Sequence, residues 1–459
     1  MFLMQITYHK RGVKMGKRIL VAGAGHGGLA AAADLARRGY DVTVFEQNKR
    51  EDLGYDWTDI FAPRSLLAAN VPYPPRAKYE YKENMTFFSP SQSIGLKQDI
   101  PEKELEIKME RKDIYTHLLS HAEKCGVKLR FSCKIKGPVM LGSRVAGLFI
   151  DGGETVYGDL VIDAAGLDSP VRTALPPVCG VENDVGSFEQ FFSYRAFYER
   201  TGDFEPEDKF KVYLLHEGEM GVVWLATEDG HADVLIGRFE PFGMDEVNRV
   251  LDLLKRNNPQ IGGKLVRGGS FAKIPVRQPL SVMVADGWAA IGDSAFMTIP
   301  LIGSGIANSL KASHMLVKTI TEDKDSAFTA ATLWKYQREY FKQLGNGHAA
   351  MAVMKLFLLR LNPYELDFIF EKGILTAKEF TISSETTNIQ SMLKLSFKEF
   401  LERAKSVCTD RILLTKILKV SSRLASTFAI TAMMPRTYNR AAVTKWADTY
   451  TSFFTKLEK

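Results

Sequence analysis

Apolar and polar positions change period repeatedly along the chain. Residues 17–22, KRILVA, end in an unbroken apolar run, the pattern of a short strand buried on both faces. Small and apolar residues at helical spacing follow in LAAAADLARRG, and residues 40–46, YDVTVFE, read as a second strand. Between 106 and 131, Ile114, Leu118, Leu119 and Ala122 share one helical face, which ends near Gly126 and leads into another strand. Two further apolar strands, LVIDAA within 158–175 and WAAIGD within 286–313, each run into a turn, and IANSLKASHMLVKTI follows the second as a helix. Over 187–239 the period shortens to two in SFEQFFSYRAFYE, KFKVYLLHE, GVVWLAT and ADVLIGRF, separated by turn residues, which predicts an antiparallel sheet. DEVNRVLDLLKRNNP, at 245–259, is one helix stopped by a proline. From about 331 onward glycine thins out and helical spacing dominates.

The first strand runs into GAGHGG, so strand, glycine turn, helix and strand fit within about thirty residues. In such a unit Gly23 makes the tight turn, Gly25 lets the backbone approach a pyrophosphate, and Gly28 lets the helix lie close to the sheet. The helix N-terminus offers unpaired N–H groups to phosphates. Glu46, closing the second strand, can accept hydrogen bonds from ribose hydroxyls. The motif marks a dinucleotide and leaves FAD and NAD open. His26, inside the turn, is expected near the pyrophosphate or solvent.

Later segments narrow the cofactor. Arg111 precedes the helix of 106–131, and on spacing alone it reads as a solvated arginine. LVIDAA ends at Gly166, consistent with backbone passing close to a ligand. WAAIGD ends on Gly292 and Asp293, and Asp293 is a fit acceptor for a polyol hydroxyl. The loop holding Pro300, Gly303 and Gly305 gives permissive backbone beside a flat ring, and the helix it opens favours negative charge there.

With these residues in place the chain resembles FAD-dependent oxidoreductases of the p-hydroxybenzoate hydroxylase type of fold, which include geranylgeranyl reductases and group A flavin monooxygenases. The resemblance covers about residues 15 to 320. It rests on Gly23-Ala24-Gly25-His26-Gly27-Gly28 with Glu46, on Arg111, on Gly292-Asp293, and on Pro300-Leu-Ile-Gly303-Ser-Gly305, which is similar to the reductases' P-L-T-G-x-G-I loop. It implies FAD as cofactor, Arg111 near the flavin, Asp293 at the ribityl or ribose region, and the Pro300–Gly305 loop beside the isoalloxazine. The fold class is α/β, or α+β overall. A Rossmann-type FAD-binding domain with a parallel sheet is expected from 15–75, 105–184 and 275–330. An antiparallel-sheet substrate domain is expected from 76–104 and 185–274, and a helical C-terminal region from 331–459.

Two details favour the reductase branch. The family's Y-x-W-x-F-P stretch followed by G-x-G is matched by Val222-Val223-Trp224 and Leu235-Ile236-Gly237, with Val222 and Leu235 replacing the tyrosine and the first glycine. Lys273-Ile-Pro275 before Val284-Ala-Asp286-Gly287 also resembles the reductases. The monooxygenases usually carry Asp-Gly where this chain has Ala165-Gly166. The resemblance thus implies hydride delivery from flavin N5 to a C=C bond of a hydrophobic prenyl or polycyclic substrate, with NAD(P)H as electron donor. The alternative is hydroxylation or epoxidation of an aromatic or alkene with O2 and NAD(P)H. Tyr55, Asp56, Trp57 and Asp59 lie where the family chain passes the flavin. Asp56 or Asp59 is either a proton donor or an exposed loop carboxylate, and Trp224 lines an apolar pocket or packs in the core.

Composition adds limits. Four cysteines, at 125, 133, 179 and 408, form no C-x-x-C pair, so neither a disulfide framework, a structural zinc nor any other metal site is expected. Cys125 and Cys133 read as small core residues. A net charge of +6 is too mild for a dedicated nucleic-acid binder. Residues 331–459 carry 20 Lys and Arg against 11 Asp and Glu, a net +9, which leaves the rest at −3. Within that basic tail, 411–430 forms an amphipathic helix with Leu413, Ile417, Leu424 and Phe428 on one face and Arg411, Lys416, Lys419 and Arg423 largely off it. That face either contacts an anionic membrane surface or packs on the protein. With no membrane-length apolar run and no secretory signal, the sequence reads as cytoplasmic, with peripheral membrane contact through this helix as the variant. Residues 1–14 read as an extension ahead of a start at Met15.

Overall fold

The computed structural model describes residues 16–458 except 184–185, 187–188, 203–204, 381–396 and 406–409. Residues 1–14, Met15 and Cys408 lie outside the described residues.

Arg18–Ala22 is an inner strand of a six-stranded sheet. Asp41–Phe45 pairs with it on one side and Leu160–Asp163 on the other, both parallel. Lys128–Arg130 and Trp288–Ala290 extend the sheet in parallel, and Val284–Ala285 adds an antiparallel edge. The His26–Arg37 helix and the three-stranded sheet of Ile135–Leu141, Arg144–Ile150 and Thr155–Tyr157 pack against it. Ile19, Leu20 and Val21 are consequently fully buried, which is why their run is unbroken. The parallel strands end on Ala22, Phe45, Asp163 and Ala290, so Gly23, Glu46, Ala164 and the Gly292 turn meet at one carboxyl edge.

The period-two stretch forms most of a seven-stranded sheet, in the order Ile261–Pro275, Gln190–Arg200, His231–Arg238, Gly221–Thr227, Phe210–Leu214, Thr86–Phe88, Gly95–Lys97. Its pairings are antiparallel except that Phe210–Leu214 runs parallel to Thr86–Phe88. Tyr194, Ala196, Val223, Leu225, Val234 and Ile236 pack on Val247, Val250, Leu251 and Leu254 of the Met244–Asn257 helix. Ser193, Arg195, Val222, Trp224 and Leu235 point the other way and line a cavity. A small sheet of Thr58–Phe61, Ile107–Glu110 and Tyr79–Tyr81 is tied to the large one by ion pairs of Arg267 with Glu110 (2.7 Å) and Lys108 with Glu228 (2.5 Å).

The C-terminal region is helical where it is described. Ala330–Tyr340 continues through a π turn, Phe341–Gly345, into Asn346–Leu358, followed by Pro363–Glu371, Arg411–Ala432 and Arg440–Glu458. Asp410 caps the Arg411–Ala432 helix by accepting from the Ile412 and Leu413 amides. Leu413, Ile417, Val420 and Leu424 are buried, and the helix packs on Asn346–Leu358. The apolar face offered by the sequence to a membrane is therefore held by protein, at about 1.5–3 kcal/mol per buried side chain. Among the described residues no helix is long and apolar enough to cross a membrane.

Candidate functional site

A cavity of about 1350 Å³ begins at the carboxyl edge of the parallel sheet and continues between the large sheet and the C-terminal helices. It gathers Gly23, Gly25, Gly28, Glu46, Arg111, Gly166, Gly292, Asp293, Pro300, Gly303 and Gly305, together with Asp59 and Trp224. Asp56 does not line it; its carboxylate accepts from Arg267 Nη1 (3.1 Å) and the Gly268 amide (3.2 Å).

Close packing explains the glycines of the first turn. A Cβ on Gly25 would sit 2.7 Å from the Ala164 carbonyl oxygen, and one on Gly28 would sit 2.4 Å from the Ala164 side chain. The turn is thus pressed against the neighbouring strand. The crowding that demands glycine at 25 comes from the protein, where the sequence suggested the ligand. Gly27, whose Cβ would lie 2.6 Å from the Ser309 carbonyl oxygen, brings the two cavity helices together.

The His26–Arg37 and Ile306–Glu322 helices both start at this cavity, at Gly25 and Gly305, and neither has a side-chain cap. Their first-turn amides are left for a ligand's anionic or acceptor atoms. Glu46 is 8% exposed; its Oε2 accepts from the Ala24 amide (2.9 Å) and its Oε1 from Asn48 (2.8 and 2.9 Å), so the carboxylate is held in place with lone pairs to spare. Among the described residues Asp293 Oδ1 accepts from Thr298 (2.7 Å) and Oδ2 from none; burial pushes this carboxyl up. Two open helix ends, a fixed acidic acceptor and a second, half-buried acceptor suit the phosphates and hydroxyls of a dinucleotide cofactor.

Arg111 is the first residue of the Arg111–Lys124 helix, and its solvated reading fails. It forms a bidentate pair with Asp59 (2.6 and 2.9 Å), and its guanidinium lies 5.0 Å from the Tyr55 ring centre and 5.4 Å from that of Trp57. Both Asp59 oxygens are engaged, so Asp59 serves as an acceptor. His26 is half-buried in the cavity wall, its ring against that of Tyr115 (4.7 Å between ring centres). Burial, then the Arg111 charge, lower its pKa to about 4, so the ring is neutral at pH 7, and among the described residues its Nε2 has no hydrogen-bond partner. Burial pushes the Tyr115 hydroxyl up to about 12.

Trp224 lines the cavity rather than the buried core, with its ring edge-on to Phe210 (5.2 Å). Gly237 is needed because Phe191, another lining residue, covers it; a Cβ there would be 1.9 Å from that ring. Arg195 was not foreseen as a site residue. It is 4% exposed, pairs with Asp233 (2.9 and 2.5 Å), donates to Thr58 Oγ1 (2.6 Å) and lies over Trp224 (4.7 Å). Its signal was a charge inside an apolar strand pattern. Toward the C-terminal helices the lining is mainly apolar, with Phe87, Met354, Leu358, Ile369, Leu375 and Phe380, interrupted by Lys82, Lys355, Glu379 and Lys398. Phe87 stacks on Phe380 at 4.2 Å.

Comparison with known proteins agrees with this geometry. Residues 21–86 match a family model described as an NAD(P)-binding Rossmann-like domain. The chain is 24% identical to the digeranylgeranylglycerophospholipid reductase of Sulfolobus acidocaldarius, over 80% of this chain and 83% of that protein. A geranylgeranyl bacteriochlorophyll reductase-like protein from Thermoplasma acidophilum superposes with a TM-score of 0.70 at 20% identity, covering 85% of this chain and 98% of that one. The flavin-dependent brominase Bmp2 shares the fold at a TM-score of 0.63 and 14% identity, over 84% and 99% of the two chains. The protein is an FAD-dependent oxidoreductase. It belongs to the superfamily that holds the geranylgeranyl reductases and the group A flavin monooxygenases, and its relatives include reductases of prenylated lipids.

Proposed function

We propose that this protein reduces C=C bonds of a hydrophobic, prenyl-type or polycyclic substrate, with NAD(P)H as the electron donor. The observation that carries the reading is the continuity of the cavity from the glycine turn to an apolar lobe. Its volume of about 1350 Å³ exceeds the roughly 300–1,000 Å³ of a pocket for one small ligand, so it suits a cofactor and an extended substrate together. Bound FAD supplies hydride to one alkene carbon, and a proton must reach the other. The chain's own residues bind, orient and exclude water. The amides after Gly25 and the Glu46 carboxylate bind the dinucleotide end. Asp293 and the Gly303–Gly305 loop bind toward the ring end. Arg111, clamped by Asp59 and the Tyr55 and Trp57 rings, holds a fixed positive charge beside the ring site. Trp224 and Phe191 line the same cavity with aromatic surface that keeps water out. Neither Asp56 nor Asp59 is assigned the proton, because the first lies off the cavity and the second is tied to Arg111.

Photoreduced enzyme mixed without oxygen with a C20 prenyl alkene tests the reading. Flavin absorbance is expected to return with the prenyl alkene and not with a small hydroxybenzoate. Return with the aromatic alone, or only when O2 is admitted, contradicts it. Peripheral membrane contact would fall to the exposed Ile412, Leu418 and Met433 beside the basic residues of the same helix, and flotation with anionic vesicles checks it.

A further inference from the structure

Arg195 is a charged residue of the cavity wall that has no part in the proposed function. It stands on the Gln190–Arg200 strand of the large sheet, and its side chain is 5% exposed. Asp233, on the neighbouring strand, accepts from Nε (2.9 Å) and Nη2 (2.5 Å). The guanidinium also crosses to the small sheet, where Thr58 accepts twice: its carbonyl oxygen from Nη1 and its Oγ1 from Nη2 (2.6 Å). Thr58 is the first residue of the Thr58–Phe61 strand and is 4% exposed. Both of its chain neighbours bind Arg111. The Trp57 carbonyl accepts from the Arg111 amide (3.0 Å), and both Asp59 oxygens accept from the Arg111 guanidinium. Three consecutive residues are thus gripped by two arginines from different elements. The Trp57 ring centre lies 5.4 Å from one guanidinium and 5.9 Å from the other. Only a planar fork of donors can hold Asp233 and Thr58 at once, which a lysine ammonium cannot do.

We propose that Arg195 is a positioning residue: it fixes the Thr58–Asp59 segment, and through it the Arg111 guanidinium, so that a side chain of the large sheet sets the electron affinity of the flavin. Asp59 and Arg111 form a bidentate pair, so a shift of the carboxylate carries the guanidinium with it. A positive charge held beside the ring stabilises the negative charge that reduction adds, and does so more strongly away from water. An Arg111 that wanders gives up part of that stabilisation, and the ring then takes up electrons less readily. Arg195 lies over Trp224 (4.7 Å), so this control sits in the wall that faces the substrate. The inference rests on the reading that puts Arg111 beside the ring site and names the residue that holds it there.

Three variants test it. Thr58→Val removes Oγ1 and leaves every charge in place, Thr58→Ser keeps the hydroxyl, and Arg195→Lys keeps the charge opposite Asp233 but loses the fork. Two quantities are measured: the midpoint potential of the bound flavin, by equilibration with a reference dye, and hydrogen exchange at Arg111 Nε in apoprotein carrying isotopically labelled arginine. Flavin content and circular dichroism check folding. In Thr58→Val and Arg195→Lys the bound flavin is expected to favour its reduced form about tenfold less, a potential lower by about 30 mV for a two-electron couple. Exchange at Arg111 is expected to run about tenfold faster in both. Thr58→Ser is expected to match the wild type in both readouts, although it too loses packing. Exchange and potential that stay unchanged in Thr58→Val, or that change as much in Thr58→Ser, overturn the positioning role. A lowered potential with unchanged exchange means that Arg195 acts on the ring by another path, and overturns the link through Arg111. Faster exchange with an unmoved potential overturns the placing of Arg111 at the ring site, and the redox role with it. Neither readout uses a substrate, so a failure of the C=C reading in its own test leaves this result to stand or fall by itself.

Discussion

At residue scale, the site depends on atoms whose partners are protein as often as ligand. Gly25→Val places side-chain atoms where a Cβ is already 2.7 Å from the Ala164 carbonyl oxygen, so the turn must move. Purified Gly25→Val protein is expected to lack the yellow flavin absorbance. Asp293→Ala removes a half-buried acceptor of the cavity wall, and FAD affinity is expected to fall about tenfold, the effect of one hydrogen bond to a charged group; titration of apoprotein with FAD measures it. Stoichiometric FAD in both variants would refute these positions. Asp59 gives a sharper division. As an anchor for Arg111, Asp59→Asn keeps a hydrogen-bonding partner and should change turnover by about tenfold or less with an unaltered pH profile. A general acid in that place would cost about 100-fold or more and shift the profile.

Among elements, the junctions between sheets carry testable stability. Burial alone would raise the Glu228 carboxyl; the adjacent His231 ring and the Lys108 ammonium outweigh it and hold it at about 2, against an ordinary 4.5. A depressed folded pKa stabilises the fold above the unfolded value and loses that stabilisation as pH falls through the folded one. The junction should therefore contribute about 3 kcal/mol near pH 7 and lose it between roughly pH 4.5 and 2. Glu228→Gln should lower urea stability at pH 7 and match the wild type more closely toward pH 2. In the Arg411–Ala432 helix, Leu424 is 6% exposed and lines the cavity. Leu424→Ala is expected to cost about 2–4 kcal/mol in denaturant unfolding and to enlarge the apolar lobe. Elements were also where the sequence was most legible. GVVWLAT became Gly221–Thr227, and the 245–259 helix became Met244–Asn257. In both, the apolar period matches the burial. The apolar stripe of 411–430 was equally plain, but a stripe does not say what covers it; here the Asn346–Leu358 helix does. The parallel pairing of Phe210–Leu214 with Thr86–Phe88 is a contact over more than a hundred residues and left no local mark.

For the whole molecule, the cofactor site was read from local signals because a glycine turn, a carboxylate at a strand end and a loop before a helix are each short-range chemistry. The distal half was not, because Lys82, Arg195 and the apolar lobe come together only when the two sheets and the C-terminal helices close on one another. The basic tail, net +9, lies beside a body of net −3, and its helices supply much of the apolar lining. FAD held in this cavity would touch several of these parts, so removing it should loosen more than the parallel sheet. Apoprotein is expected to melt several degrees below protein with FAD at 100 times its Kd, where ligand linkage is worth about 2.7 kcal/mol. The central claim is that this cavity directs reducing equivalents into a prenyl-type C=C bond. A single turnover of reduced enzyme with a prenyl substrate, run without oxygen and read by product mass, tests it most directly. The account predicts a product that has gained two hydrogen atoms; a product formed only in the presence of O2 and carrying one added oxygen atom would contradict it.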